Sequence, residues 1–444
     1  MAMPVSPSWA QARFERVPQG ARAHRSRRWR RTPLFTGLTS RPLLVAALRP
    51  VWRGERTLQL GVDPSRAVVL DSVDERIVRL LLDLDGTRTE GRVLADGITA
   101  GVDPRFFAAL LAQLRAAGAL TDGRFAPSQP AGPQPHRPPP DRPAPCPPAG
   151  KAGSRRVSSQ AAPRDPVPDH GHPGRLAPDL ASIALLTSPS AAAGQLRHRQ
   201  AASVVVHGAG RVGATVATLL AAAGVGNVHV VDHGSVSPSD PSPAGLAVAD
   251  VDRPKAIAVA DAIRRSAPET ATGIPGPDHE PDLVVLADGR PVDSDLQAAL
   301  HASGLPHLAV GVRETTAIIG PLVRPGTTSC LRCANLQRTD RDPAWPLVAA
   351  QLATMRRHAD EPCDIVLATL AGSVAALHCL RHLDGLGSAA SGATLELALP
   401  DWRLRRRTWP PHPHCGCGAC GTAAAADSVE WGHGDATYAD SVPG

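Results

Sequence analysis

Residues 204–213 read Val-Val-Val-His-Gly-Ala-Gly-Arg-Val-Gly and lead directly into the Ala-rich segment 214–223. An apolar run that ends in GxGxxG and continues into a helical segment is typical of the first strand, turn and helix of a nucleotide-binding domain. Gly208 permits the tight turn, Gly210 lets the backbone approach a phosphate, and Gly213 allows close helix–strand packing. The free amides and the dipole of the helix favour an anion at its start. This segment therefore predicts a nucleotide site.

The segments around this motif alternate between strand and helix patterns. A helical pattern covers 176–200, and the alternation then continues to about residue 399. The predicted strands are Ser203–His207, Asn227–Asp232, Asp282–Ala287 and His307–Val312. The predicted helices are Val212–Ala223 and Pro254–Ala267. This order predicts an α/β fold, with a Rossmann-like, mainly parallel sheet and helices on both faces.

The chain of 444 residues is too long for one ordinary domain, and its 45 prolines and 40 glycines indicate globular parts separated by an unfolded part. Composition and periodicity predict five segments. They are a disordered basic tail (1–40), a small α+β domain (41–123), a Pro-rich linker (124–174), the nucleotide-binding domain with a zinc site (175–420) and a disordered tail (421–444).

Composition also excludes several classes of protein. The longest apolar run, 214–225, is about 12 residues, whereas a membrane span needs about 20, so we expect no integral membrane protein. The net charge of +6 is concentrated in two arginine clusters, 22–31 and 403–407, which we interpret as a solvated tail and the exposed face of a strand rather than a nucleic-acid patch. The Arg-rich start lacks the apolar core of a signal peptide, which predicts a cytoplasmic protein without disulfides.

Three side chains are candidates for nucleotide chemistry. Asp232 ends the predicted second strand, where it would accept hydrogen bonds from a ribose hydroxyl; a solvated turn is the alternative. Lys255 is one of only two lysines among 47 basic residues, which suggests that an ammonium group is needed there, for instance on a triphosphate. Asp288 follows a buried strand at its carboxyl end, where an acidic group beside phosphates usually holds Mg²⁺.

Two cysteine clusters, about 80 residues apart, have the spacing of metal ligands. Cys330 and Cys333 form a CxxC pair, and Cys415 and Cys417 supply two further thiolates. Cys420 is the alternative fourth ligand, and His412 and His414 are the remaining candidates. Four thiolates suit a tetrahedral Zn²⁺ and leave no open position for a substrate, so we expect a structural zinc site.

Residues 179 to about 420 resemble the ThiF/MoeB group, relatives of ubiquitin-activating enzymes that adenylate the C-terminal carboxylate of a small protein or peptide. The likeness is carried by the glycine loop, AAAGVGNVHVVD (221–232), DRPKA (252–256), the strand before Asp288, GPLVRPGTTSCLRCANLQRTDRDPAWP (320–346) and the final cysteine cluster. The resemblance implies that the loop residues Gly208, Gly210, Arg211 and Gly213 border ATP. It also implies that Asp232 binds the ribose, Lys255 the phosphates and Asp288 the Mg²⁺, with Lys255 and Asp288 as catalytic residues.

This sequence departs from the family pattern at several positions. Where the family usually has a second Asp and an Asn-Leu-x-Arg stretch, the chain has Gly234, Asp240 and Pro243, so the phosphate-binding arginine is missing. Arg211 stands where the family usually has a loop glycine, and it could either replace the missing arginine or block the pocket. Cys363 is the candidate acyl acceptor, with a small buried hydrophobe as the alternative.

Residues 41–122 resemble the PqqD-like peptide-recognition domains, small winged-helix-like folds that bind a leader peptide by strand addition. The likeness lies in RPLLVAALRPVWRG (41–54), LQLGVDPSRAVVLDSVD (58–74), LLLDLDGTRTEGRV (80–93) and the closing helix. It implies an exposed strand edge that pairs with an extended peptide. A scaffold without a ligand is the alternative, and the acidic helix argues against DNA.

Together these features predict an ATP-dependent adenylyltransferase that activates the C-terminal carboxylate of a ubiquitin-like protein or a ribosomal precursor peptide as an acyl-adenylate. The expected cofactors are ATP, Mg²⁺ and structural Zn²⁺. The alternatives are a non-catalytic ThiF-like scaffold that presents a leader peptide to a partner modifying enzyme, and an NAD-linked oxidoreductase. Family likeness also implies a homodimer in which an arginine, Arg197 or Arg199, crosses into the neighbouring site.

Overall fold

The computed structural model describes residues 14–15, 39–64, 66–125, 174–276, 279–355 and 361–419. The basic tail, the Pro-rich linker and the C-terminal tail expected from composition fall almost entirely outside these ranges. The described residues form an N-terminal unit, residues 14–15 and 39–125, and a larger domain, residues 174–419, which carries the predicted nucleotide site and is called the nucleotide-binding domain.

The N-terminal unit has an α+β architecture. Its strands are β1 (Phe14–Glu15), β2 (Pro42–Leu44), β3 (Pro50–Trp52), β4 (Leu58–Leu60), β5 (Val68–Leu70) and β6 (Leu120–Asp122). Its helices are α1 (Glu75–Leu82), α2 (Glu90–Thr99) and α3 (Pro104–Ala116). The antiparallel sheet has the order β1-β5-β4-β3, and β2 pairs with β6.

Side-chain caps start all three helices of this unit. The carboxylate of Asp74 accepts a hydrogen bond from the Arg76 amide at the start of α1, and Thr89 and Asp103 cap α2 and α3 in the same way. Apolar residues spaced along α1 and α3 meet the sheet in a core that includes Leu60, Leu81, Phe107, Leu111 and Leu114. The unit thus has its own hydrophobic core.

The nucleotide-binding domain is built on a seven-stranded sheet. Its strands are β7 (Ser203–His207), β8 (Asn227–Val231), β9 (Leu283–Leu286), β10 (His307–Arg313), β11 (Thr316–Val323), β12 (Ala393–Ala398) and β13 (Leu404–Thr408). Its helices are α4 (Ala177–Leu186), α5 (Pro189–Ala201), α6 (Arg211–Ala222), α7 (Lys255–Ser266), α8 (Ser294–Ala302), α9 (Leu331–Arg341), α10 (Trp345–Thr354) and α11 (Ile365–Leu383).

The sheet order is β13-β12-β11-β10-β9-β7-β8. Strands β8, β7, β9 and β10 are parallel, whereas β11, β12 and β13 continue the sheet as an antiparallel meander. Val204 and Val206 of β7 face α6, α7 and α11, and Val205 faces α8 and α9. The predicted α/β fold, with a Rossmann-like sheet covered on both faces, is therefore confirmed.

Helix α11 is the one helix in the described ranges that is long and apolar enough to cross a bilayer by length and composition. About 44% of that apolar window is buried in the protein. Ala368, Ala371 and Ala375 pack in the core of the domain, where α11 lies against α6. A helix that is apolar on most of its surface is common in the core of a large domain.

Arg199 of α5 does not reach out of the domain. Its Nε and Nη2 atoms donate to the two carboxylate oxygens of Asp384 at 2.7 and 2.5 Å, and both side chains are buried. This bidentate pair ties α5 to the end of α11. Arg199 is thus committed within its own chain, and of the two arginines considered for a crossing role, Arg197 is the exposed one.

The contacts of the N-terminal unit with the nucleotide-binding domain include those with α10 and Asp342, those with the β10–β11 hairpin and the Arg49–Glu361 ion pair. The side-chain amide of Gln351 in α10 accepts a hydrogen bond from Trp52 N at 2.9 Å and donates to Trp52 O at 2.7 Å. Arg53 forms a bidentate pair with Asp342. These contacts cover the outer edge of β3, and the strand at the opposite edge of the sheet is β1, which pairs with β5.

The second contact is the tip of the β10–β11 hairpin. Glu314 adopts a positive φ of 53° there, and its carboxylate accepts a hydrogen bond from the Val62 amide. Thr316 donates to the Asp63 carboxylate. A non-glycine residue in the left-handed region carries some backbone strain, so the docked N-terminal unit contributes to holding this turn.

Candidate nucleotide site and metal centre

The glycine loop lies between β7 and α6, as its sequence predicts. Gly208 has a φ of 94°, and its amide donates to Val231 O at 2.9 Å. A Cβ on Gly213 would lie 1.9 Å from Gly208 O. Gly210 is the N-cap of α6, so the free amides of that helix begin at the loop. The geometry suits an anion at the helix start.

A Gly213→Ala substitution is expected to destabilise the protein by about 3 kcal/mol, because the added methyl group forces the loop away from the helix. Urea unfolding followed by circular dichroism measures this change. The matched control is Gly194→Ala in α5, where the nearest atom to an added Cβ is 4.0 Å away. Because alanine favours a helix over glycine, this control should raise stability by about 0.5 to 1 kcal/mol. Equal effects of the two substitutions would contradict the close packing at Gly213.

Asp232 holds the loop in place. One carboxylate oxygen accepts from the Ala209 amide at 2.7 Å, and the other accepts from the Gly234 amide at 2.8 Å. The side chain thus connects the glycine loop to the turn after β8. A carboxylate can accept more than two hydrogen bonds, so this structural role leaves acceptor capacity for a ligand hydroxyl.

Arg211 begins helix α6 and binds two backbone carbonyls. Its Nε donates to Ser239 O at 2.6 Å, and its Nη1 donates to Cys363 O at 2.5 Å. These acceptors are neutral, so the hydrogen bonds do not offset the charge of the guanidinium. Arg211 therefore adds positive charge at the loop and links the segment after β8 to the one before α11.

Lys255, at the start of α7, is ion-paired with Asp240. The Nζ atom lies 3.0 Å from the Asp240 carboxylate, and each side chain is 11% exposed. Burial opposes ionisation of Asp240, but hydrogen bonds from Ser237 and the Lys255 ammonium outweigh it, so the pKa of Asp240 is lowered. The stabilisation this provides is present above the unfolded-state pKa and is lost as the pH falls through the lowered value. Asp240, which stands within the segment where the family has its Asn-Leu-x-Arg stretch, thus neutralises Lys255.

Asp288 lies at the carboxyl end of β9, beside the glycine loop. A Cβ on Gly208 would be 3.2 Å from the Asp288 amide nitrogen. The Asp288 side chain is 48% exposed and lies 2.9 Å from Arg290 Nε, and Arg290 also donates to Met355 O. The structure thus brings the loop, Asp232 and Asp288 to one edge of the sheet. Lys255 joins them through Gly234, since a Cβ there would be 3.2 Å from an Asp232 oxygen and 3.9 Å from Lys255 Cε.

The four predicted zinc ligands come together on the face of the sheet that packs against α8 and α9. The sulfur atoms of Cys330, Cys333, Cys415 and Cys417 all lie within 4.8 Å of one another, and all four residues are buried. Individual Sγ–Sγ distances are 3.5 to 3.8 Å. A tetrahedron with Zn–S bonds of about 2.3 Å requires sulfurs about 3.8 Å apart. The cluster therefore fits a metal ion such as zinc; Cys420 lies outside the described residues.

The surroundings of the cysteine cluster favour a cation. Burial raises the pKa of the Cys330 thiol to about 11, so thiolates there need the compensating charge of a metal ion. The His412 amide lies 3.4 Å from Cys333 Sγ as a hydrogen-bond donor, and the His412 ring lies 2.8 Å from an Asp340 oxygen. Sequence reasoning did not identify this supporting role of His412.

The other cysteines are separate from the cluster. Cys379 is fully buried in α11, where burial raises the pKa of its thiol far above the ordinary value. That environment agrees with its interpretation as a core residue. Cys363 is partly buried against the same core.

Comparison with known proteins gives one family. Residues 183–419 match the ThiF family. No curated protein sequence matches the chain significantly. Similar solved structures include E. coli MccB, with 12% identity, a TM-score of 0.46, and coverage of 85% of this chain and 96% of that one. E. coli MccB with ATP has 13% identity, a TM-score of 0.47 and coverage of 85% and 99%. PaaA has 14% identity, a TM-score of 0.41 and coverage of 80% and 95%. Since the family match spans more than half of the chain, this protein belongs to the ThiF family.

Proposed function

We propose that this protein is an ATP-dependent adenylyltransferase that activates a carboxylate of a ribosomal precursor peptide or small protein as an acyl-adenylate. The observation that carries the proposal is the arrangement at one sheet edge of a ThiF-family domain. The glycine loop, the start of α6, Asp232, Lys255 and Asp288 are contiguous there.

The residues present fit a nucleotide and its magnesium ion. The amides at the start of α6 and the nearby Arg211 provide positive potential for phosphates. Asp232 has acceptor capacity for a ribose hydroxyl, and the partly exposed carboxylate of Asp288 suits Mg²⁺. When a nucleotide binds, the Lys255 ammonium group would leave the Asp240 carboxylate and bind a phosphate oxygen instead.

The chemistry is attack of the substrate carboxylate on the α-phosphate of ATP, with release of pyrophosphate. The protein contributes mainly the alignment of the two reactants and neutralisation of charge. The thiolate cluster takes no part in this step. It binds a structural Zn²⁺ that joins the start of α9 to residues 415–417.

The N-terminal unit would supply the peptide. Its PqqD-like pattern suggests leader binding by strand addition, and its contacts with Gln351 and Glu314 hold it against the activating domain. A leader that adds to β5 would take the place of β1, since β3 is covered by α10. Holding a peptide there raises its effective concentration at the nucleotide site.

A homodimer is also part of the proposal. Val366 and Leu377 on α11 are 64% and 57% exposed, and they offer an apolar surface to a second copy. Arg197 is exposed on α5 and is the remaining candidate for an arginine that reaches a neighbouring site. We place the protein in the cytoplasm, without nucleic acid as a ligand.

Two observations favour the second candidate, a non-catalytic scaffold that presents a leader peptide to a modifying enzyme. Lys255 is neutralised by Asp240, and Pro243 stands where the family has its phosphate-binding arginine. Both features weaken phosphate binding.

Calorimetric titration of the full-length protein with ATP and with a non-cleavable analogue, each with and without Mg²⁺, tests the proposal. We expect micromolar, Mg²⁺-dependent binding of both nucleotides. Absence of nucleotide binding by a folded, zinc-loaded protein would reject the adenylyltransferase and favour the scaffold.

A further inference from the structure

A cavity of about 180 Å³ lies where the N-terminal unit meets the nucleotide-binding domain. The residues that line it include Gly289 and Arg290, directly after Asp288, and Arg49 and Val62 of the N-terminal unit. The cavity thus connects the nucleotide side of the domain with the proposed peptide-binding unit.

Several charged groups that line this cavity already have partners. Arg49 lies 3.1 Å from the Glu361 carboxylate, and Arg290 pairs with Asp288. Arg49 and Arg290 therefore do not require a ligand for charge balance. The Glu314 carboxylate accepts a hydrogen bond from the Val62 amide through Oε1, whereas its buried Oε2 has no hydrogen-bond partner among the described residues.

Two lining arginines, Arg313 and Arg338, lack such a partner. Within the described ranges, neither guanidinium forms an ion pair, and the buried Nε atom of Arg313 has no hydrogen-bond partner. The nearby carboxylate of Glu396 pairs instead with Arg407 at 3.1 Å. Arg313 and Arg338 therefore have no ion-pair partner in the described ranges, and the carboxylates of Glu314 and Glu396 act on their charges without pairing with them.

Arg338 is held rigidly in this position. Its guanidinium carbon lies 5.4 Å from the ring centre of Trp345 and 4.4 Å from that of Trp409. Its Nη1 atom donates a hydrogen bond to Asn335 Oδ1 at 3.1 Å. Burial, reinforced by the charge of Arg313, lowers the pKa of Arg338 to about 10. Two like charges in a sheltered site repel one another, and an anion between them would remove that repulsion.

We propose that Arg313 and Arg338 bind a carboxylate of the peptide substrate in this cavity and select for an acidic end. The inference rests on the proposed function, because that function requires a peptide carboxylate close to Asp288. A guanidinium matches a carboxylate in geometry as well as charge. Buried charges that are left unpaired are costly, so a neutral peptide end cannot replace the acidic one without loss of affinity.

The carboxylate comes either from the C-terminus of the peptide or from an Asp or Glu side chain. Three capped dipeptides distinguish these sources. Acetyl-Ala-Gln acid has only the terminal carboxylate, acetyl-Ala-Glu amide has only the side-chain carboxylate, and acetyl-Ala-Gln amide has neither. Their affinities for the full-length protein are measured by calorimetric titration without nucleotide.

We expect at least one acidic probe to bind about tenfold more tightly than the neutral probe, and the stronger acidic probe identifies the source. The preference should disappear in Arg313→Gln and in Arg338→Gln. The matched control, Arg332→Gln, alters an exposed arginine of the same helix, α9, outside the cavity wall and should keep the preference.

Equal binding of the acidic and neutral probes, or no binding of any probe, would overturn the inference. So would a preference that survives both substitutions in folded proteins. If Arg338→Gln does not fold, because its stacking between tryptophans is lost, Arg313→Gln alone decides. Since no nucleotide is present, failure of ATP binding overturns the proposed function and leaves this result unaffected.

Discussion

ATP affinity is expected to fall by about 100-fold in the Lys255→Ala variant. Truncating one partner of a buried, hydrogen-bonded charge pair costs about 2 to 5 kcal/mol, and each 1.4 kcal/mol corresponds to a tenfold change. The Lys255 side chain is only 11% exposed, so solvent screening reduces this effect little. Calorimetric titration of the wild type and the variant with ATP and Mg²⁺ measures the change.

The ion pair with Asp240 provides the control for this prediction. Lys255→Ala alone leaves the Asp240 carboxylate buried without its cation, which lowers stability as well as affinity. The double variant Lys255→Ala/Asp240→Asn removes that charge and separates the two effects. Asp240→Asn alone releases the lysine from its partner and should bind ATP more tightly than the wild type. Unchanged ATP affinity in both Lys255→Ala proteins would show that the lysine does not contact the nucleotide.

The Cys333→Ser variant is expected to lose its bound zinc and most of the stability of the region between α9 and residues 415–417. Cys333 is fully buried, and its sulfur lies 3.8 Å from Cys330 Sγ and 3.5 Å from Cys417 Sγ. Because the metal site forms only in the folded chain, zinc binding contributes directly to folding free energy. Elemental analysis should give less than about half an equivalent of zinc, against about one in the wild type.

Two other cysteines serve as controls for the zinc prediction. Cys363→Ser alters a partly buried cysteine outside the cluster and should retain the metal. Cys420→Ser should also retain it if Cys417 is the fourth ligand, as the sulfur positions indicate. Full zinc occupancy in Cys333→Ser, or zinc loss in Cys420→Ser alone, would contradict the proposed ligand set.

Apolar residues at helical spacing over 74–84 and 104–117 predict two helices in the N-terminal unit, and both are confirmed. α1 and α3 lie within the segments whose apolar residues recur at helical intervals, because those residues form the core of the N-terminal unit. α2 was not predicted, since only Val93 and Gly97 are buried in it and a glycine adds no apolar signal. A Cβ on Gly97 would lie 2.9 Å from the Phe107 ring, a contact that only tertiary packing reveals.

In the antiparallel half of the large sheet, β11 and β12 were not predicted. The interpretation of the arginines at 403–407 as the exposed face of a strand is confirmed, because β13 covers residues 404–408 and is exposed along its whole length. A strand without an apolar run gives no indication of its neighbours in the sheet. Pairing with β12 decides the place of β13 in the sheet.

Local patterns were sufficient for the α/β fold, the glycine loop and the metal ligands. Each depends on a few neighbouring residues. The strand, turn and helix around Gly208 need only backbone freedom and apolar spacing. Two short cysteine motifs supply the four thiolates of a tetrahedral ligand set. Contacts between segments distant in the chain were decided by tertiary packing. It pairs Lys255 with Asp240, ties Arg199 to Asp384, and leaves Arg313 and Arg338 without an ion-pair partner in the part of the chain that the structure describes. No local pattern encodes these pairings, because the energy of a buried charge depends on which groups the whole fold brings within reach of it.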